Sequence, residues 1–487
     1  IGLDTTYCLA DGQVTRRTYL DSTASTLMMG AAYRTMARFL GHYANTHSVL
    51  HFSAKLSTQA YRWAHERILR FVGADPDEYT CFFTGSGATA GVNRLARVFH
   101  RLWPERDTAL VSIMEHHSND LPYRKHLGQV IHLPVARTSS GPGCVDVEVL
   151  ERELQTHRDR INLVAITGIS NVTGIINPIH QVARLAHQHG VLVLVDGAQL
   201  VAHVPVQVSG HEDPQEDLDV LVFSGHKTYV PGSPGVVVAR KSLLEGIEPE
   251  EVGGGMVERV LNERYTVSPH FPDREEAGTP NIPGAIGLAA AIEVLDTLGM
   301  DFLHQEETQL IAYALDRLKT IPEVTIYGST DMDRCPRAAS ISFNVAELHH
   351  SLVAAILNDY HNIAVRNECF CAHPYVAQMI PDQARDFLTL SDEEYHALCA
   401  PKPGMVRVSF GLYSTKQDAD HLVAALKDII SHQEEYRPHY TLGEDLNYHH
   451  ATYQLPLENL FSVPGLVAQD LTTPHVSRPT DGDLPAE

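Results

Sequence analysis

Between about residue 79 and residue 240, short unbroken apolar runs alternate with stretches of helical period. Tyr79–Thr84, Ile161–Thr167, Val191–Val195, Val220–Phe223 and Gly235–Ala239 are dense in Val, Leu, Ile and Phe and predict strands. They show no polar alternation, so both faces are expected to be buried. That is the habit of a largely parallel sheet held between helices. Gly91–Trp103 and Pro178–His189 predict amphipathic helices, the second with Pro in its first turn and Gly190 just past its end. Gly85-Ser-Gly-Ala-Thr89 predicts the tight turn between the first strand and the first helix.

After Gly284 the pattern changes. Ala285–Leu298, Glu307–Ile321 and Gln417–Ile430 predict helices; Ala338–Val345, Ile363–Val365 and Met405–Phe410 predict strands. The reading is an α/β chain with a smaller α+β domain at its C-terminal side. The expected organisation is an N-terminal segment 1–30 packing with the small domain, a large domain 31–300, a small domain 301–435 and a tail 436–487. The tail is rich in Pro, Thr, His and Asp without sustained periodicity, and reads either as an extended strap over a neighbour or as disorder.

Composition narrows the class. The 487 residues are 44% hydrophobic and 20% charged, with a net charge of -23. A chain this acidic is a poor match for nucleic acid or an anionic membrane. No apolar run approaches the ~20 residues a membrane helix requires. The opening Ile-Gly-Leu-Asp has neither an initiator Met nor a signal pattern, which reads as a trimmed or partial N-terminus and a cytosolic, cytoplasmic protein. The seven cysteines (Cys8, Cys81, Cys144, Cys335, Cys369, Cys371 and Cys399) do not form a disulfide-framework pattern. Cys369-Phe-Cys371 is the one close pair, with no second pair to complete a zinc site, so no metal is expected.

The candidate chemistry lies at the strand ends. Asp196 closes the run Val191-Leu-Val-Leu-Val, and Lys227 follows the run Leu221-Val-Phe-Ser-Gly-His. A lysine that forms a Schiff base with an aldehyde, and a carboxylate that keeps a pyridinium nitrogen protonated, are what pyridoxal 5'-phosphate needs. The turn from Gly85 to Gly91 opens a helix and offers backbone N–H groups to a phosphate. Its spacing departs from the dinucleotide GxGxxG pattern. Each feature alone also has a bland reading: a tight β-α connection, a strand-end acid, a solvated lysine. Their order along the chain carries the argument.

In that order the chain resembles the class V aminotransferases of fold-type I, and most nearly their cysteine desulfurase and selenocysteine lyase branch. The resemblance runs from Tyr19-Leu-Asp-Ser-Thr-Ala24 to Tyr413-Ser-Thr415. It implies a mostly parallel, seven-stranded type of sheet and a pyridoxal phosphate enzyme. Lys227 would be the Schiff-base lysine and proton shuttle, Asp196 the partner of the pyridinium nitrogen, and Gln199 the donor to the phenolic oxygen. His116, in Met114-Glu-His-His-Ser-Asn119, would stack on the ring, and Asn171, in Ser170-Asn-Val-Thr-Gly174, would lie near the phenolic oxygen and substrate. Ala88, Thr89, Ser224 and His226 would hold the phosphate. Thr279, in Glu276-Ala-Gly-Thr-Pro-Asn281, would reach the partner subunit's phosphate, which implies a homodimer with shared active sites. Arg407 would clamp the substrate carboxylate, with Arg366 and His51 also in the substrate pocket. His117 and His203 read as packed or satisfied histidines rather than catalysts.

The implied reaction removes sulfur from an amino acid, leaving a persulfide on a cysteine and passing the sulfur to an acceptor protein. Counting from Arg366 places the nucleophile at Cys371, with Cys369 as a resolving thiol or the nucleophile itself. Asn367-Glu-Cys-Phe-Cys371 departs from the usual desulfurase loop and resembles the Cys-Phe-Cys of molybdenum cofactor sulfurases. Ser48 stands where the branch has an arginine, and the stretch between Val376 and Met405 is atypical. The alternatives are another class V reaction (transamination, epimerisation or β-elimination) with Cys371 not catalytic, or a non-catalytic protein that kept the fold.

Overall fold

A computed structural model describes residues 1–46, 48, 50–384, 390–391, 393–394 and 401–472. Its centre is a seven-stranded sheet built from β1 (Tyr79–Thr84), β2 (Thr108–Ser112), β3 (Gln129–Leu133), β4 (Ile161–Thr167), β5 (Leu192–Asp196), β6 (Val220–Ser224) and β7 (Gly235–Arg240). The order is β1-β7-β6-β5-β4-β2-β3. Strands β3, β2, β4, β5 and β6 pair in parallel, and β7 runs antiparallel between β6 and β1. The physical reason for the unbroken apolar runs is visible in β4. Val164 and Ile166 enter one core, while Leu163 and Ala165 enter another on the opposite face. A strand sends successive side chains to opposite faces, so in a sheet covered on both sides apolar residues fill both, and a buried polar one such as Asn162 is held by hydrogen bonds to the Phe99 and Arg106 carbonyls.

The helices that matter for the site are α1 (Gly30–Leu40), α2 (Phe52–Phe71), α3 (Gly87–Leu102), α4 (Ile179–Gln188) and α5 (Ile282–Leu298). Helix α3 begins four residues before the expected Gly91, because the glycine turn is itself its first turn, entered through Gly87 at φ +61°. Strands β2 and β3 had no strong signal in the sequence; they complete the edge of the sheet.

A second sheet has the order β8 (Val324–Ile326), β9 (Ser340–Val345), β11 (Met405–Ser409), β10 (Arg366–Glu368), all antiparallel. It packs with α6 (Met300–Leu318), α7 (His350–His361) and α9 (Lys416–Ser431) in a separate core. The short helix α8 (His373–Met379) follows the cysteine pair. The strand expected at Ile363–Val365 is divided: Ile363–Ala364 pairs in parallel with Thr18–Tyr19, and Arg366 starts β10.

The region after Tyr436 is more structured than its composition suggested. Tyr440–Leu442 and Tyr448–His450 form an antiparallel hairpin, followed by helices Leu457–Leu460 and Val463–Thr472. Three-residue strands are too short to display alternation, so a pattern search passes over them. Residues 473–487 of the expected tail, Cys399 and parts of the atypical stretch between Val376 and Met405 lie outside the described residues. Among the described residues no helix is long and apolar enough to cross a membrane.

Candidate active site

The C-terminal ends of β1, β4, β5 and β6 share one edge of the large sheet, and a cavity of ≈ 410 Å³ opens there. Crevices beyond the carboxyl ends of parallel strands are where open α/β sheets bind ligands. Asp196 ends β5, and Lys227 lies in the turn that leaves β6. Both line the cavity, as do Ala88, Thr89, His116, Asn171, Gln199, Ser224 and His226.

The phosphate end is built by the start of α3. Its N-cap, Ser86, makes no side-chain cap, and Ala88 N–H donates to Ser224 Oγ at 2.8 Å. A Cβ on Gly87 would stand 2.7 Å from Ser224 Oγ, so only glycine lets the backbone approach β6 this closely. Thr89 and Ser118 share a hydroxyl–hydroxyl bond of 2.7 Å across the cavity mouth.

The ring end is held by charged and aromatic groups. Asp196 is buried; its Oδ1 accepts from Ala198 N–H at 2.9 Å, and among the described residues no hydrogen bond reaches its Oδ2. Burial raises the Asp196 carboxyl, while the Lys227 charge lowers it. Burial likewise lowers the Lys227 amine, with Asp196 opposing and the charges of Arg407 and Cys371 also acting on it. Burial, then Lys227, pushes His116 down to about 3 and His226 to about 4. Ser118 N–H donates to His116 Nδ1 at 3.1 Å, so this ring is neutral and carries its proton on Nε2. Gln199 is fixed by donation from Nε2 to the Thr23 carbonyl at 2.8 Å.

An anion site adjoins this cavity. Arg366 on β10 and Arg407 on β11 are direct cross-strand partners. Like charges in that relation repel unless an anion lies between them. Asp21 supplies one at 3.4 Å from Arg407. Arg407 is buried, donates from Nη1 to the Asn171 carbonyl at 2.8 Å, and keeps an Nε with no partner. Burial lowers its pKa to about 10, which still leaves it charged at neutral pH.

The cysteine pair is tied to the same place through Asn171, whose Nδ2 donates to the Phe370 carbonyl at 2.7 Å. Phe370 lies under the Arg407 guanidinium, 4.7 Å from ring centroid to Cζ. His117 N–H donates to the Cys371 carbonyl at 2.7 Å. Cys371 is exposed, whereas Cys369 is half-buried with its S–H directed at the Pro403 carbonyl, 3.6 Å away. Burial pushes the Cys369 thiol up to about 11. Glu368, Phe370 and Cys371 all have positive φ (83°, 53° and 56°). Each such residue costs of order ~1–3 kcal/mol and persists only where its surroundings enforce it.

A model of the family "Aminotransferase class-V" matches residues 18–422. The chain belongs to the class V aminotransferases. A probable cysteine desulfurase of Halalkalibacterium halodurans is 34% identical over 415 residues, covering 84% of this chain and 92% of that relative. A cysteine desulfurase of Escherichia coli O7:K1 is also 34% identical, over 413 residues, 84% of this chain and 93% of its own. The apo structure of cysteine desulfurase from Thermococcus onnurineus NA1 superposes with a TM-score of 0.73 at 28% identity, over 85% of this chain and 95% of the other. The fold is that of the fold-type I pyridoxal phosphate enzymes.

Class V aminotransferases work with pyridoxal phosphate, and the residues present fit it. The uncapped start of α3 suits a phosphate, the unbonded Asp196 Oδ2 suits a ring N–H, and Lys227 projects into the same cavity.

Not every expected residue meets in this cavity. His51 is the N-cap of α2, its Nδ1 accepting from Ala54 N–H at 3.3 Å, and does not line it. Thr279 is exposed on a loop and accepts from Asn45 Nδ2 at 2.9 Å. Ser48 is half-buried ahead of α2, outside the cavity lining. His203 is packed as expected, bonded to Glu307 at 2.8 Å. His117 is half-exposed and satisfied, stacked on His373 at 4.9 Å between centroids with its Nε2 3.1 Å from His373 Nδ1.

Two residues escaped sequence reasoning. Glu115 is buried beneath His116, accepting from Thr167 N–H at 2.7 Å and Asn119 Nδ2 at 2.6 Å; burial, with Asp196 nearby, raises its carboxyl to about 8. Asp21 is the Arg407 partner. Both lie inside motifs the family shares, but nothing in the sequence marks their part in the site.

Proposed function

We propose that this protein is a pyridoxal phosphate-dependent cysteine desulfurase that removes sulfur from L-cysteine or a related sulfur amino acid. The observation that carries this reading is Asn171. It lines the cavity that holds Lys227, accepts from Arg407 at its backbone carbonyl and donates from its side chain to the Phe370 carbonyl, so one residue couples cofactor pocket, anion site and cysteine segment.

When bound, the cofactor supplies an electron sink for the carbon framework of the substrate. Arg407, with Arg366 opposite, receives the substrate carboxylate on a guanidinium whose buried Nε lacks a partner. Lys227, its amine lowered by burial, removes the α-proton and returns it. Neutral His116, which lines the cavity, would stack on the cofactor ring, and its Nε2 can donate a proton. The Cys371 thiolate attacks the substrate sulfur. An S–S bond forms, the carbon–sulfur bond breaks, and its electron pair remains with the carbon, which is protonated to give alanine. Cys371 is favoured over Cys369 because a thiol raised to about 11 stays protonated, and only the thiolate attacks.

Exposed Cys371 suits transfer of its sulfur to an acceptor protein. A homodimer is supported by apolar residues flanking Ser48, where Leu50 is 87% and Phe52 91% exposed, near a region that also presents Thr279. Such a partner would bring Thr279 and His51 to the other subunit's pocket. The test is to incubate the holoenzyme with L-cysteine and identify products by mass. Alanine with one sulfur added to Cys371 is expected. Pyruvate and sulfide with Cys371 unmodified would replace this reading by β-elimination, and a keto acid retaining sulfur by transamination.

A further inference from the structure

The family match ends at residue 422, yet the hairpin Tyr440–His450 lies beyond it and touches the cysteine segment. Its turn residue Asn447 accepts at Oδ1 from Asn367 Nδ2 at 3.1 Å and donates from Nδ2 to Glu368 Oε1 at 3.4 Å. Asn367 Nδ2 also donates to His350 Nδ1 at 3.4 Å, and His350 Nε2 bonds to the Lys402 carbonyl at 2.8 Å. Asn367 and Glu368 form the end of β10, directly before Cys369-Phe-Cys371.

The turn is held in place from outside. Tyr440 donates to Asp359 at 2.9 Å, Tyr360 bonds to His450 at 3.0 Å, and Tyr448 N–H donates to Ser351 Oγ at 3.3 Å. Asp359, Tyr360 and Ser351 all belong to α7, which also carries His350. One helix therefore fixes both the hairpin and the residue that shares Asn367 with it.

The segment whose side chains Asn447 contacts has a strained backbone. Glu368, Phe370 and Cys371 are left-handed within four positions, a conformation that non-glycine residues hold only when neighbours over-determine it. Asn171, Arg407 and His117 hold the Phe370–Cys371 end; Asn447 is the contact from the hairpin that holds the Asn367–Glu368 end.

We propose that the C-terminal hairpin is a positioning element for Cys371, with Asn447 fixing Asn367 and Glu368 and, through them, the placement of the thiol. The sulfur-transfer part of this inference rests on Cys371 being the sulfur carrier; the placement part does not.

The test uses the full-length holoenzyme and three readouts: alkylation rate of Cys371 in the resting enzyme, sulfur gained by Cys371 from L-cysteine, and exchange of the substrate α-proton with deuterated water. Asn447→Ala should change Cys371 alkylation and slow sulfur gain by about tenfold, within the range that an ångström of misplacement produces. Proton exchange, which needs Lys227 rather than the thiol, should stay within about twofold. Asn447→Asp, which sets a carboxylate against Glu368, should be slower still, by roughly thirtyfold. Adding Glu368→Gln should recover most of that loss, because an amide can donate to the new carboxylate. Wild-type rates of alkylation and sulfur gain in Asn447→Ala and Asn447→Asp, or an equal fall in proton exchange, would overturn the proposal. If wild-type enzyme exchanges the proton yet adds no sulfur to Cys371, the desulfurase reading fails instead, and the alkylation rates still decide the placement.

Discussion

The Lys227 cavity and the cysteine segment are neighbours built on opposite principles. The cavity is made by strand ends: Asp196 closes β5, Lys227 leaves β6, and the glycine turn joins β1 to α3. Its groups are placed by a rigid sheet with a core on each face. The cysteine segment follows the end of an edge strand of the small sheet, takes three left-handed residues in four, and depends on side chains from distant parts of the chain. A site on a sheet edge comes with its scaffold. A site on a strained loop must be assembled by long-range contacts, which makes it the part where relatives can differ. Here it carries Cys-Phe-Cys and meets a hairpin beyond the family match.

The largest effect separating the two should come from Lys227→Ala. It is expected to abolish visible Schiff-base absorbance and lower turnover by on the order of 10³-fold or more, while the cradle of α3 still retains cofactor that dialysis removes slowly. Full activity would break the assignment of the cavity.

Next in size, Cys371→Ala should eliminate protein-bound sulfur and leave the cofactor spectrum unchanged; Cys369→Ala should retain most sulfur transfer. The reverse result would move the nucleophile to the half-buried Cys369 thiol and contradict its raised pKa.

Arg407→Ala should raise KM for L-cysteine, with a loss of ~2–3 kcal/mol expected for a charge-assisted bond. Arg407→Lys should recover only part of it, because the bidentate fork is gone. An unchanged KM would place the substrate carboxylate elsewhere.

The smallest expected effect concerns pH. Burial holds His350 at about 3, so the folded state refuses a proton that the unfolded chain accepts below about 6.5. Stability attributable to this ring is fully present above pH 6.5 and falls as pH drops toward 3, by on the order of 2 kcal/mol between pH 6.5 and 5. His350→Asn should flatten the slope of thermal midpoint against pH over that window.

The features legible in advance were those written in local pattern. The buried strands, the glycine turn and the strand-end positions of Asp196 and Lys227 followed from apolar runs and their punctuation. Glu115 was not legible, because an acid beside a histidine looks solvated until β4 and β5 close over it. Asp21 was likewise silent until Arg407, far along the chain, came within 3.4 Å of it. His51 and Thr279 were named by family resemblance, and the single chain places neither in its own cavity.

By itself the sequence determined the alternation of strand and helix, and hence a covered parallel sheet, because the period of hydrophobic side chains is a local property of each element. It also determined which residues end those strands. The tertiary structure alone decided that Asn171 joins three sites, that Arg366 faces Arg407, that Cys369 is protonated while Cys371 is open, and that a hairpin beyond the family match reaches Glu368. Those are meetings between residues far apart in the chain, set by sheet order, register and packing, and no local pattern encodes them.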